Sequence, residues 1–151
     1  MKTKVIKLYF DTEFTGLRKD TDLISIGIVD PLYNRYFYAE FTDYDRIKVD
    51  CWIKENVIDN LLHKKESTKD IDGNISIIMT YGDTEENSKL LLYWLSYYKE
   101  RGYTIQFVSD VAHYDFVLLV DLLTNGKTAL DLPDFIIPCV YDINQKISHY
   151  F

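Results

Sequence analysis

The chain predicts an α/β domain on a mixed sheet, and three observations carry that prediction. Runs of strand character at residues 5–10, 23–29 and 35–41 follow one another across short connections, the pattern of an antiparallel meander. Between Asp83 and Leu123 a helical stretch, an apolar strand and a second helical stretch follow in turn. A strand bracketed by helices pairs parallel to a neighbour. At 151 residues, 47% of them apolar, the chain has the size of one domain with a core of its own.

Each element has its own reason. Val5, Ile6, Leu8, Tyr9 and Phe10 make a strand that ends in Asp11-Thr12-Glu13, and Thr15-Gly16 turns the chain away. Residues 23–29 are rich in β-branched side chains, and Pro31-Leu32-Tyr33-Asn34 forms the turn after them. In the third strand Tyr36, Tyr38 and Glu40 alternate with Phe37, Ala39 and Phe41, one set to each face. Val49, Trp52, Ile53, Val57 and Leu61 recur near a 3.6 period, with Asp50 placed to cap. Residues 63–70 are polar and partly basic, a solvated loop. Asp83, Glu85 and Glu86 open the next helix, where the dipole favours acids. Leu90, Leu91, Trp94, Leu95 and Tyr98 form its apolar face, and Lys99 to Gly102 end it. Residues 103–108 then read as a buried strand and 114–123 as a helix. Residues 135–141 read as a last strand, and Pro138 assigns it to an edge or a bulge.

Composition narrows the function. The net charge is −7 and the isoelectric point about 4.9, which argues against non-specific duplex binding through a basic face. It leaves room for a nuclease whose acids hold metal ions, because a bound cation inverts the local charge. Thirteen Tyr and eight Phe argue against disorder. Cys51 and Cys139 form neither a disulfide framework nor a zinc pattern. The apolar run near the N-terminus is too short for a signal peptide or a membrane helix. The expectation is a soluble, cytoplasmic protein.

The chemistry concentrates at Asp11 and Glu13. Residues i and i+2 of a strand share a face, so the two carboxylates crowd each other and each disfavours the other's ionisation. A hard divalent cation with a preference for oxygen ligands resolves the conflict. Asp115 lies early in the helix over 114–123, and Asp110 lies where the preceding strand ends, placed to cap that helix or to join the site. Asp142, after the last strand, reads as a cap.

The string Asp11-Thr12-Glu13-Phe14-Thr15-Gly16-Leu17 resembles the first motif of the DEDD 3′–5′ exonucleases, the RNase T-like branch of the RNase H-like fold. Tyr114-Asp115-Phe116-Val117-Leu118, opening a helix after the fourth strand, is similar to their second motif. Within that superfamily the chain looks most like the small mycobacterial-type bacterial 3′–5′ exoribonucleases. The resemblance implies an RNase H-like, five-stranded mixed sheet flanked by helices. It implies two Mg²⁺ or Mn²⁺ ions held by Asp11, Glu13 and Asp115, which are then both metal ligands and catalytic residues. Thr12, Phe14 and Leu17 would meet the substrate, single-stranded RNA or a 3′ overhang, and the bond hydrolysed would be the terminal phosphodiester. A homodimer is compatible with this reading. The family's third motif, a His or Tyr followed by an Asp in a terminal helix, is not found, since His149 is followed only by Tyr150 and Phe151. The expectation is therefore a single domain, C-terminally incomplete, with that final helix absent. The readings from other classes are a 3′–5′ DNA exonuclease, an endonuclease of the same fold, and a non-catalytic nucleic-acid-binding or interaction domain.

Overall fold

The computed structural model describes residues 4–110 and 112–143. Ten elements of regular structure follow in order: β1 (Lys4–Phe14), β2 (Leu23–Asp30), β3 (Arg35–Phe41), α1 (Cys51–Asn56), β4 (Glu66–Lys69), β5 (Ile75–Gly82), α2 (Thr84–Glu100), β6 (Tyr103–Ser109), α3 (Ala112–Thr124) and β7 (Tyr141–Asp142). The strands form one seven-stranded sheet in the order β4-β5-β3-β2-β1-β6-β7. β1, β2 and β3 are the expected antiparallel meander, with Tyr9 opposite Val29 and Ile28 opposite Phe37. β6 pairs parallel to β1, as its bracketing helices require, with Lys4 opposite Tyr103 and Tyr9 opposite Val108. β5 pairs parallel to β3.

Burial follows the strand period. Ile6, Leu8 and Phe10 of β1, Ile26 and Ile28 of β2, and Phe37 and Ala39 of β3 all face one side. That side packs on α2 and α3 through Leu91, Trp94, Leu95, Tyr98, Leu119 and Leu123. Fully burying such a side chain contributes about 1.5–3 kcal/mol, so this layer dominates the stability. α2 begins where the sequence predicts, because Asp83 accepts the Glu86 amide hydrogen at 2.8 Å. Near the far end of the sheet Asp30, fully buried, accepts from the Leu32 and Tyr33 amides and, at 2.5 Å, from the Tyr98 hydroxyl. Opposite it Arg35 lies among the rings of Trp94, Tyr97 and Tyr98.

The sheet exceeds the expected five strands by two. β4 consists of four exposed residues, Glu66 to Lys69, and carries no apolar alternation to announce it. In β5 the positions turned to the helices include Ser76 and Thr80, while Ile75, Ile77 and Met79 stay half-buried. Its hydrophobic pattern is thus blurred between the two faces. The region read as one helix from Val49 to Leu61 is three short pieces, α1 and flanking 3-10 turns at Arg46–Lys48 and Ile58–Asn60. Asp50 does cap α1, accepting from the Ile53 amide at 2.8 Å. The last strand shrinks to β7, preceded by a single bridge from Ile136 to Ile105. Pro138, without an amide hydrogen, interrupts the ladder between them. Asp142 lies in β7 opposite Ser109.

Candidate metal centre

β1 and β6 run side by side in the same direction, so their carboxyl ends emerge together. Crevices outside the carboxyl ends of strands are where open α/β sheets bind ligands. Asp11 lies on β1 just beyond its pairing with β6, Asp110 follows the last residue of β6, and Asp115 lies in the first turn of α3. One carboxylate oxygen from each of these three falls within 4.8 Å of the others.

Hydrogen bonds hold the arrangement. Asp115, only 2% exposed, accepts from the Thr12 hydroxyl at 2.6 Å on one oxygen and from the Ser109 hydroxyl at 2.8 Å on the other. Thr12 lends its amide hydrogen to Asp11 at 3.0 Å. A single residue of β1 therefore orients an acid from its own strand and one 103 positions away. Phe14 stacks on Tyr114, centroids 5.5 Å apart and planes 18° apart, tying the end of β1 to α3.

Three acids in one place are electrostatically costly. Burial pushes the Asp11 carboxyl above its ordinary range, although the residue keeps solvent contact, and Asp110 pushes it further against the pull of the Thr12 amide. Glu13 is raised by burial and then by the charges of Asp11 and Asp115. Asp115 is raised by burial, against the lowering effect of its two hydroxyl donors. A divalent cation would offset the repulsion among these carboxylates, since carboxylate oxygens are the ligands that hard cations take. The donor set fits such an ion.

The sequence-predicted residues fare differently. Asp11 and Asp115 come together as expected. Glu13 stands beside the cluster and shares its field, but the third member of the close group is Asp110. Glu13 stays in the ladder opposite Ser25, two residues farther along β1 than Asp11, whereas Asp110 directly follows the last residue of β6. The signal for Asp110 was its place between a strand end and a helix start. Thr12, expected at the substrate, uses its hydroxyl on Asp115 and also lines the adjoining groove. Phe14 uses its ring on Tyr114, and Leu17 is 75% exposed. His113 is exposed, and His149 lies outside the described residues.

Beside the acids runs a groove of about 320 Å³, near the lower end of small-ligand sites, ~300–1,000 Å³. Asp11, Gly27 and Tyr38, neighbours across β1, β2 and β3, line its sheet floor with Glu13, and Asn56 and Asn60 line it from the segment that follows β3. The fold and the site define a class, an α/β protein with an acidic triad at the carboxyl ends of a central parallel strand pair. No protein-family model matches the chain, and no curated protein sequence matches it. No helix among the described residues is long and apolar enough to cross a membrane.

Proposed function

We propose that the chain is a metal-dependent 3′–5′ exoribonuclease on an RNase H-like, exonuclease-type fold. The observation that carries the reading is the meeting of Asp11 of β1 with Asp115 of α3, two of the three acids that the sequence resemblance assigns to metal. In this reading Asp11 and Asp115 hold the cation, with Asp110 and Glu13 placed to complete the set. Bound divalent ions supply a water of lowered pKa and stabilise the leaving oxygen. Thr12 and Ser109 keep the Asp115 carboxylate oriented, so that it need not reorganise when the ion binds. The groove beside the acids would accept the terminal nucleotide, with the Tyr38 ring available for contact with an unstacked base.

The test is digestion of 5′-labelled single-stranded RNA with Mg²⁺, Mn²⁺ or EDTA, beside DNA of the same sequence. The expected result is a ladder shortening from the 3′ end, lost in EDTA and in Asp11→Asn, and weaker on DNA. Equal digestion of DNA would move the reading to a DNA exonuclease. RNA binding with no cleavage in either metal would overturn the nuclease reading in favour of a non-catalytic binding domain.

A further inference from the structure

Glu40 is a buried carboxylate outside the acidic cluster. It lies in β3 and is 2% exposed. Its two oxygens accept three hydrogen bonds, from the Tyr38 hydroxyl at 2.6 Å, the Leu62 amide at 2.7 Å and the His63 amide at 2.7 Å. Two of these donors are backbone groups of the segment that leaves the 3-10 turn Ile58–Asn60. The third belongs to the floor of the groove beside the acids. His63 itself sits at φ 52°, a left-handed conformation that costs a non-glycine residue on the order of 1–3 kcal/mol and persists only where the surroundings enforce it. The paired acceptance by Glu40 is such an enforcement.

We propose that Glu40 is a positioning residue for the groove. It ties the floor at Tyr38 to the wall at 56–63, and so fixes the width available to a nucleotide without touching the metal centre. The inference rests on the nuclease reading for the identity of the ligand, and on hydrogen bonds alone for the tie. A charged acceptor suits the role because both oxygens must accept. Glutamine in the same place offers one oxygen and one NH2 group, and the NH2 would face another donor.

The experiment uses the full chain with Glu40→Gln. Hydrogen exchange at the Leu62 and His63 amides should quicken at least tenfold, while β1 and β2 keep their protection. With Mn²⁺ present, the affinity for a nucleoside 5′-monophosphate should fall about tenfold. On RNA the rise in KM should exceed any fall in kcat, and Mn²⁺ affinity should change less than twofold. Unchanged exchange at residues 62 and 63, or unchanged nucleotide affinity, overturns the proposal, as does an equal loss of Mn²⁺ binding. If Glu40→Gln does not fold, Tyr38→Phe removes one donor and keeps the ring. It should weaken the nucleotide about threefold, and wild-type affinity would overturn the proposal. A wild-type chain that neither cuts RNA nor binds the monophosphate overturns the nuclease reading and the choice of ligand, while the exchange at 62 and 63 separately decides whether Glu40 holds the wall.

Discussion

At the scale of single residues, Thr12 and Asp115 show how a site can be built before any ion arrives. Both Asp115 oxygens are occupied by hydroxyls, and hydroxyls can rotate to donate or accept. Asp115→Asn should therefore fold with little loss of stability, whereas Asp115→Ala strands the Thr12 and Ser109 hydroxyls. An unsatisfied buried polar group costs about 1–3 kcal/mol, so the Ala form should melt roughly 2–12 °C below the Asn form at ~2–4 °C per kcal/mol. Both should lose metal-dependent cleavage. Equal melting temperatures in EDTA would show that the two hydroxyls do not depend on Asp115.

Asp11 behaves in the opposite sense. Its folded pKa is raised above the ordinary 3.8. A group with a raised pKa contributes its full stability below the unfolded value and loses it as pH rises through the folded one. In EDTA at pH 7 the charged cluster should thus oppose folding. Asp11→Asn should melt slightly higher than wild type there, by about 1–2 °C given the solvent screening of a partly exposed group. The gap should close below about pH 4 and invert when Mg²⁺ or Mn²⁺ is added to the wild type. Calorimetry across pH checks it, and a large drop for Asp11→Asn at pH 7 would make Asp11 a structural residue.

At the scale of elements, α2 and its cap set the layer on which the site is mounted. Asp83→Ala removes the acceptor for the Glu86 amide and should cost about 1 kcal/mol, read by urea denaturation with an unchanged slope. It should leave metal binding alone, because α2 contributes nothing to the cluster. A matching loss of Mn²⁺ affinity would show that the two layers are coupled.

The elements also show what the sequence could reveal. β1, β2, β3, α2, β6 and α3 were legible because each carries a clean period and each helix has acids at its start. The pairing directions followed from connection lengths. β4 and β5 were not legible, because pairing rather than an apolar stripe defines them. Asp11 and Asp115 were found through a local string and a helix start. The preference of the cluster for Asp110 over Glu13 depends on the pairing that sets the end of β6 beside β1, a tertiary fact with no local signature. Glu40 gave no signal either, since its two backbone donors lie 22 and 23 positions away, at the junction between a stretch that reads as helix and one that reads as loop.

At the scale of the whole molecule, charge decides how a polyanion can approach. A chain of net charge −7 repels RNA unless cations intervene. Affinity for single-stranded RNA should therefore drop at least tenfold on moving from Mg²⁺ to EDTA at constant ionic strength. The loss should largely vanish in Asp11→Asn, which binds RNA poorly in either condition. Filter binding at several salt concentrations checks it. Strong binding in EDTA would mean that a basic surface, not the acidic centre, recruits the nucleic acid.

The parallel pairing of β1 with β6 has a consequence for synthesis. β1 is an interior strand in the finished sheet, flanked by β2 and β6, yet Thr12 and its partner Asp115 are 103 positions apart. At about 5–20 residues per second the ribosome takes roughly 5–20 s to cover that distance. Through that interval β1 has yet to meet the strand that closes its second edge, β6. Lys4 and Lys7 lie on that edge strand, and lysines there disfavour pairing with a stranger. The nascent chain is thus defended where it is exposed for longest, and its acids meet only when the edge is closed.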